Sequence, residues 1–300
     1  MGGNSKERNI SLKSGKACFK AIKKLGYRVK YFDPKKNFYN SINKNNVDII
    51  FNALHGKEGE DGVAQCFFEY MKIPYTHSGV ISSMSCMDKS ISKNKFIKHK
   101  ISTPNYCELY RQDLDKTRAK AILKKNKLTF PLVIKPINEG SSIGVKICKK
   151  FDNFRKEAKS LLSQYEPLLV EKFIPGQEIQ VAVLNNKALG AIELKPKREF
   201  YDYKAKYNKS AKTNHVMPAN LNTKAYKKVL KLAEYAHKIF QCRGVTRSDF
   251  KFYKNKFYLL EINTQPGMTD LSLVPEIASF VNISFEELIE KLVKDASVNK

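Results

Sequence analysis

The pattern of hydrophobic and polar residues in the first part of the chain predicts helices and strands that alternate. Residues 15–26 have the spacing of a helix that ends at a glycine, and residues 27–32 alternate in polarity as a strand does. Residues 47–53 have the pattern of a second strand, which runs into a loop over 54–62 and a helix over 63–71. Such alternation is typical of a small parallel sheet, so we predict an α/β region here.

The later part of the chain is predicted to be α+β, with strands that pair in antiparallel fashion. Asn185-Asn186 separates two strand patterns and is a strong hairpin signal. Apolar positions with helical spacing predict a helix over 225–239, and residues 84–100 predict a lysine-rich helix. The predicted strands are residues 128–135, 145–148, 168–173, 178–184, 187–194, 249–253 and 256–263.

The composition adds a strong positive charge to this picture. The 300 residues include 55 Lys and Arg against 29 Asp and Glu, which gives a net charge of +26 and invites a nucleic-acid interpretation. The lysines are spread along the whole chain, however, and the sequence has no zinc-finger spacing, RNP motif or basic heptad region. We therefore expect no nucleic-acid partner. Because 42% of the residues are hydrophobic, disorder is also disfavoured.

Three features bear on where the protein works. The sequence has no apolar run near the roughly 20 residues of a membrane span, and its first eight residues lack the apolar core of a secretory signal. Its six cysteines include no C-x-x-C pair. We expect reduced thiols, a cytoplasmic location and no membrane partner.

A loop with small residues follows Lys135 and is a candidate anion site. The segment Gly140-Ser141-Ser142-x-Gly144 lies between two predicted strands, where backbone N–H groups could face one phosphate and Lys135 could add a charge. The alternative is an ordinary hairpin turn. The segment is neither a P-loop nor a G-x-G-x-x-G motif.

A second candidate site combines two strand segments near the end of the chain. Arg247 and Asp249 are two residues apart and share one face of a strand, as do Glu261 and Asn263. If the hairpin pairs them, two carboxylates and an amide converge, and such oxygen ligands suit Mg²⁺. The alternative, surface polarity, is weaker because Glu261 follows an apolar run. The N–H of Gly267 would add an oxyanion donor beside Arg247.

The segment 200–207 is aromatic and charged, with no clean period, and lies between a hairpin and a helix. Long ordered loops of this kind often act as lids that exclude water from reactive intermediates. The alternative is a surface loop without such a role.

These segments belong to a longer series of motifs. In chain order they are Gly2-Gly3-x-Ser5-x-Glu7-Arg8, Ala53-Leu54-His55-Gly56 with Glu60-Asp61-Gly62, Pro74-Tyr75-Thr76-x-Ser78-Gly79, Met87-Asp88-Lys89, Lys135-Pro136 with Glu139-Gly140-Ser141-Ser142-x-Gly144, Glu171-Lys172-Phe173, Phe200-Tyr201-Asp202-Tyr203 with Lys206-Tyr207, Gly244-Val245-x-Arg247-x-Asp249, Glu261-x-Asn263-Thr264-x-Pro266-Gly267-Met268-Thr269 and Ser272-Leu273-Val274-Pro275. In order and spacing the chain closely resembles the D-alanine–D-alanine ligases of the ATP-grasp superfamily.

The resemblance implies three domains, with ATP held between two sheets. They are an N-terminal α/β substrate domain over 1–85, a central ATP-grasp domain over 86–175, and a C-terminal ATP-grasp domain over 176–300 with its lid loop at about 198–215. Family members normally begin with a short apolar strand that runs into the Gly-Gly-x-Ser loop. The chain as given starts at Met1-Gly2-Gly3, so we expect its first domain to lack that strand.

The resemblance also implies a ligand for each matching residue. It assigns Lys89, Lys135 and Lys206 to the phosphates of ATP and Glu178 to the ribose. The residues it assigns to the adenine are Glu171, Lys172, Phe173 and Ile174. Asp249, Glu261 and Asn263 match the ligands of two Mg²⁺ ions, which Mn²⁺ could replace. Ser272 and Leu273 match the pocket for the carboxylate of the second D-alanine.

Catalytic roles fall to Glu7, His55, Ser141, Tyr207, Arg247 and Gly267. Glu7 matches the carboxylate that anchors the ammonium of the first D-alanine, and Ser141 and Tyr207 match groups that link the lid to it. Arg247 and the Gly267 N–H match the oxyanion donors, and His55 lies where the family has a histidine near the substrates.

We therefore expect an enzyme that joins two D-alanines through an acyl phosphate, for peptidoglycan precursor synthesis. Its expected partners are D-alanine, ATP and a second copy of the chain in a homodimer. One alternative is another ATP-grasp carboxylate–amine ligase, against which Glu7 and Ser272-Leu273 argue. The other is an inactive relative that acts as a binding protein, against which the complete set of phosphate and Mg²⁺ ligands argues.

Overall fold

The computed structural model describes residues 1–37, 42, 45–195, 213–269 and 272–299. Its helices are α1 (Arg8–Lys24), α2 (Pro34–Asn37), α3 (Val63–Tyr70), α4 (Val80–Met87), α5 (Lys89–Lys98), α6 (Lys116–Lys125), α7 (Phe151–Leu162), α8 (Thr223–Ile239), α9 (Leu273–Phe280) and α10 (Phe285–Lys294). Its strands are β1 (Tyr106–Leu109), β2 (Leu132–Pro136), β3 (Lys146–Cys148), β4 (Leu168–Lys172), β5 (Gln177–Leu184), β6 (Lys187–Lys195), β7 (Asn214–Val216), β8 (Val245–Tyr253) and β9 (Lys256–Asn263).

Two antiparallel sheets organise the chain. The first has four strands in the order β1-β4-β2-β3, and the second has five in the order β7-β6-β5-β8-β9. The β5–β6 and β8–β9 hairpins confirm the turn predicted at Asn185-Asn186 and the pairing predicted between 249–253 and 256–263. Domain boundaries at residues 85 and 175 stay a prediction.

The first region contains less sheet than its pattern predicts. Residues 27–33 form no strand, so the prediction over 27–32 is wrong, and the segment 47–53 makes only a parallel bridge from Ile50 to Tyr75. In place of a neighbouring strand, the Met1 ammonium donates a hydrogen bond to the Phe32 carbonyl at 2.9 Å. An alternating pattern becomes a strand only where another strand lies beside it, and no described strand pairs with this segment.

The single helix predicted over 84–100 is also wrong, because Asp88 divides it. The Asp88 carboxylate accepts a hydrogen bond from the Ile91 N–H at 2.9 Å, so Asp88 is the N-cap of α5 and α4 ends one residue earlier. Lys89 and Lys93 then lie four residues apart on one face of α5. That face meets the first sheet and the loop that follows β2.

Hydrophobic packing covers both faces of the second sheet. Along β5, Val181 and Val183 pack with α5 and α8, whereas Ala182 and Leu184 pack with α1, α9 and α10 on the other face. A third apolar cluster joins the first sheet to α6 and α7. Within the described ranges, no helix is long and apolar enough to cross a bilayer.

Candidate active site

Two adjoining cavities lie between the two sheets and beside the loops that follow β2 and β9. The larger one, which we call the cleft, has a volume of about 790 Å³ and is lined by both sheets, with Lys135 and Glu171 on one side and Asp249 on the other. The smaller one, which we call the inner cavity, measures about 650 Å³. It is lined by candidate residues from distant parts of the chain: Glu7, His55, Ser141, Arg247, Asn263 and Gly267. Lys89 and Glu261 border both cavities.

The pairing of β8 with β9 assembles the candidate metal ligands. Arg247 lies opposite Asn263, and Asp249 lies opposite Glu261, as the sequence predicted. The Arg247 guanidinium binds both oxygens of Asp249, with Nε–Oδ1 at 2.7 Å and Nη2–Oδ2 at 3.0 Å, while Lys89 Nζ lies 3.7 Å from Glu261 Oε2. Cations therefore already neutralise both carboxylates.

The chemistry of this set fits Mg²⁺, which prefers oxygen ligands. Two carboxylates and one amide oxygen lie on neighbouring strands at the wall shared by the cleft and the inner cavity. In the described part of the chain, no group of three His, Cys, Asp or Glu side chains is placed to hold a metal. The third member here is the amide of Asn263, so a site would be completed by ligands from outside the protein.

Buried ion pairs hold Lys135 at the back of the cleft. Val133 lies opposite Glu171 across β2 and β4, which makes Lys135 a diagonal neighbour of Glu171 on the same face. Lys135 Nζ lies 2.6 Å from Glu171 Oε1, and Lys93 Nζ lies 2.8 Å from Glu171 Oε2. Burial alone would raise the pKa of the Glu171 carboxyl, but the two ammonium groups outweigh it and hold that pKa well below its usual range.

The loop after β2 places Ser141 against Glu7. Ser141 and Ser142 adopt left-handed φ values of 50° and 60°, which non-glycine residues use infrequently. In this conformation the Ser141 hydroxyl donates to Glu7 Oε1. The backbone carbonyl of Glu139, in the same loop, accepts from Lys89 Nζ at 2.6 Å. The predicted contact from Ser141 to Glu7 is thus present, while Tyr207, the other member of that link, and the predicted phosphate ligand Lys206 lie outside the described residues together with most of the predicted lid.

His55 lies in the wall of the inner cavity and contacts helix α1. Its Nε2 lies 3.1 Å from the Ser14 hydroxyl, which also accepts a hydrogen bond from the Met268 N–H at 3.1 Å. Burial lowers the pKa of His55 to about 4, so the imidazole is neutral at physiological pH. The hydrogen bond from the Met268 N–H to Ser14 holds the loop that carries Gly267 against α1.

The remaining predicted residues surround the same space. Ser272 lies beside Gly267, since a Cβ on that glycine would come within 2.9 Å of Ser272 Oγ, and Leu273 is buried at the start of α9. Glu178 Oε2 lies 3.1 Å from Lys251 Nζ at the cleft. Residues 172–174 line the cleft, and the N–H groups of Lys172 and Phe173 donate to backbone carbonyls of the chain.

Sequence reasoning assigned no role to three residues here. Lys93 could have been found from its spacing, because it follows Lys89 by one helical turn. Lys251 lies across the β5–β8 pair from Glu178, but its register becomes visible only with the sheet. Glu60 belongs to a quoted motif and lines the inner cavity, yet nothing in its neighbours along the chain indicates that it is 7% exposed.

Comparisons with known proteins agree with this geometry. A family model described as D-ala D-ala ligase C-terminus matches residues 96–294, and one described as D-ala D-ala ligase N-terminus matches residues 31–78. The D-alanine–D-alanine ligase of Pelagibacter ubique (strain HTCC1062) is 56% identical over 299 residues, which cover 100% of this chain and 97% of the relative. That of Geotalea uraniireducens (strain Rf4) is 43% identical, over 99% of this chain and 94% of the relative.

Solved structures show the same likeness. A crystal structure of the D-alanine–D-alanine ligase from Bacillus anthracis complexed with ATP superposes with a TM-score of 0.83 at 29% identity. Another structure of the enzyme from that organism gives a TM-score of 0.85 at 31% identity. Each alignment covers 98% of this chain and 94% of the solved chain.

The ion pairs around Glu171 generate a prediction about stability. Lys93→Met removes one of the two ammonium groups that neutralise a buried carboxylate, so the free energy of unfolding should fall by about 3 kcal/mol. Lys98→Met, which removes an exposed ammonium from the same helix, should change it by less than about 0.5 kcal/mol. Urea unfolding followed by circular dichroism measures both, and equal transition midpoints for the two variants would contradict the prediction.

Proposed function

The chain belongs to the D-alanine–D-alanine ligase family, and from this premise we propose that it joins two D-alanines to D-alanyl-D-alanine while ATP is converted to ADP and phosphate. The observation that carries the proposal is the adjoining pair of cavities. The cleft has lysines for the phosphates of a nucleotide, the inner cavity has acidic and basic side chains in its wall for an amino acid, and Lys89 and Glu261 lie where the two meet. The dipeptide would supply peptidoglycan precursor synthesis in the cytoplasm.

The reaction needs two steps because a carboxylate is a poor acyl donor. In the first step a carboxylate oxygen of the first D-alanine bonds to the γ-phosphorus of ATP, the bond from that phosphorus to the bridging oxygen breaks, and ADP leaves. In the second step the amine of the other D-alanine attacks the acyl carbon, the C–N bond forms, and phosphate leaves with the electrons of the C–O bond. The attacking nitrogen loses its proton in this step.

Residues of the inner cavity would orient the first D-alanine and stabilise the second step. Glu7, which directly precedes α1 and accepts from Ser141, is assigned to the ammonium of the first D-alanine. Arg247 and the Gly267 N–H are assigned to the oxyanion that forms at the acyl carbon. Asp249 holds the Arg247 guanidinium at two points, so the donor needs little reorganisation when charge develops.

The carboxyl end of the second D-alanine would lie beyond Gly267, at Ser272 and Leu273. The Ser272 hydroxyl accepts from the Thr269 N–H at 2.9 Å, and Ser272 directly precedes α9. Lys206 and Tyr207 are assigned to the lid that closes over the acyl phosphate, which water would otherwise hydrolyse.

The cleft would hold ATP with its phosphates toward the inner cavity. Lys89 and Lys135 are assigned to the phosphates, residues 171–174 to the adenine and Glu178 to the ribose. Asp249, Glu261 and Asn263 would hold two Mg²⁺ ions, or Mn²⁺ in their place. When bound, such ions offset the negative charge of the transferring phosphoryl group.

Turnover tests these assignments directly. We expect phosphate release that requires both D-alanine and Mg²⁺ and stops when EDTA is added. Arg247→Ala removes an oxyanion donor and should lower kcat by about 10²- to 10³-fold, and Glu261→Ala should abolish the response to Mg²⁺. Asp152→Ala, which changes an exposed carboxylate on α7, should leave turnover unchanged. Near-normal turnover in both site variants would show that the residues are wrongly assigned.

We also propose that two copies associate through α3 and α4. Val63, Ile81 and Met84 on these neighbouring helices are large apolar side chains with 46%, 60% and 45% of their surface exposed. Exposed apolar side chains gathered in one patch are typical of an interface.

Charge placed in that patch should separate the copies. Ile81→Glu should convert a dimer into a monomer in sedimentation velocity experiments at micromolar concentration. Ile97→Glu alters a residue of similar exposure, 57%, on α5 and should leave the dimer intact. A native chain that sediments as a monomer would refute the proposal.

A further inference from the structure

Glu60 is a buried carboxylate that none of the assignments above uses. It lines the inner cavity, and only 7% of its surface is exposed. Its Oε1 accepts a hydrogen bond from the Gly56 N–H at 2.9 Å, whereas Oε2 is buried and has no hydrogen-bond partner among the described residues. A carboxylate oxygen in this condition is costly unless a ligand or a proton satisfies it.

Glu60 and Glu7 border the same space. A Cβ on Gly140 would lie 2.8 Å from Glu7 Oε2 and 3.5 Å from Glu60 Oε1, so both carboxylates lie beside this glycine. Gly56, which donates to Glu60, is equally close to Glu7, since a Cβ there would lie 2.8 Å from Glu7 Oε2. Two glycines thus leave room at the point where the two acidic side chains approach each other.

In the ligand-free protein, the surroundings of Glu60 favour its protonated form over the carboxylate. Burial, and after it the charge of Glu7, raise the pKa of the Glu60 carboxyl to about 8, with smaller effects from Arg247, which lowers it, and Glu261, which raises it. His55, also in this wall, is neutral, and Lys89 lies against Glu261 and the Glu139 carbonyl. With its pKa raised to about 8, the Glu60 carboxyl is mostly protonated at neutral pH in the ligand-free protein.

We propose that Glu60 is a second anchor for the ammonium of the first D-alanine and that it gives up a proton when that ammonium binds beside Glu7. The inference rests on the proposed function, because the cation in question is the substrate's own ammonium group. The step balances: the ammonium keeps its three protons, the Glu60 carboxyl becomes a carboxylate, and its proton passes to the solvent. Binding is therefore coupled to proton release.

Calorimetric titration of D-alanine into the full-length protein with Mg²⁺ and ADP tests this coupling without turnover. Repeating the titration in buffers of different ionisation enthalpy counts the protons released. The native protein should release close to one more proton per chain at pH 7 than Glu60→Gln does. Its affinity should rise about tenfold from pH 6 to pH 7, and the variant should lose this slope. At pH 8.5 the variant should bind at least about tenfold more weakly.

Two controls separate this role from a general effect on folding. Gln has the shape of the protonated Glu60 side chain and keeps the acceptor for the Gly56 N–H, so Glu60→Gln should fold. Glu58→Gln removes an exposed carboxylate from the same loop and should behave as the native protein does. Glu60→Asp keeps a titrating carboxyl and should still release the proton, with weaker affinity.

The outcomes distinguish the inference from the function it rests on. A native protein that binds D-alanine and releases phosphate from ATP, with the same proton count as Glu60→Gln, would overturn the role of Glu60 and leave the proposed function standing. A native protein that neither binds D-alanine nor responds to it with phosphate release would overturn both.

Discussion

The register between β8 and β9 is the constraint on which the rest of the candidate site depends. It places Arg247 opposite Asn263 and Asp249 opposite Glu261 on one face of the second sheet. Residues next to them along the strands, among them Phe250 and Ile262, enter the apolar cluster on the other face. A slip of one residue would exchange the two sets and bury carboxylates among aromatic and aliphatic side chains. The hydrophobic layer under the sheet therefore fixes the position of the polar groups above it.

Hydrogen bonds, more than a strand ladder, attach the first region to this frame. Asn52 Nδ2 donates to Gln265 Oε1 at 2.9 Å, and Gln265 Nε2 donates to the Leu54 carbonyl. Together with the Ser14 contacts of His55 and Met268, these bonds tie the loop after β9 to α1 and to the loop that follows residue 53. Each bond is buried, so losing one leaves an unsatisfied polar group. Glu7 and Glu60 are thereby held at a defined position relative to Arg247, although they lie in the part of the chain with the least sheet.

Much of this arrangement follows from local sequence, and the exceptions have physical causes. The hairpins around Asn185-Asn186 and residue 254 were predictable because turn chemistry and period-two polarity agree there. The strand predicted over 27–32 was wrong because no described strand lies beside this segment to pair with its backbone. Its backbone makes loop contacts instead, such as the hydrogen bond that the Phe32 carbonyl accepts from the Met1 ammonium. Asp88 divides a long helical pattern because an N-cap competes well with helix continuation. Motif order located Arg247, Asp249 and Glu261, but the burial of Lys93 and Glu60 depends on what packs over them, which adjacent residues do not encode.

The net charge of +26 gives a misleading impression of the site, where each of the following cations lies against a carboxylate. Lys93 and Lys135 share Glu171, Arg247 pairs with Asp249, Lys251 with Glu178 and Lys89 with Glu261. Gathering these cations without partners would cost several kcal/mol for each buried charge, and the carboxylates offset that cost in the ligand-free protein. A triphosphate with divalent ions supplies both signs of charge at once, so its binding leaves neither the lysines nor the carboxylates of the cleft unbalanced. The acidic side of the inner cavity differs, because Glu60 is protonated beside Glu7 in the ligand-free protein, and a bound ammonium is the group that allows both to be carboxylates.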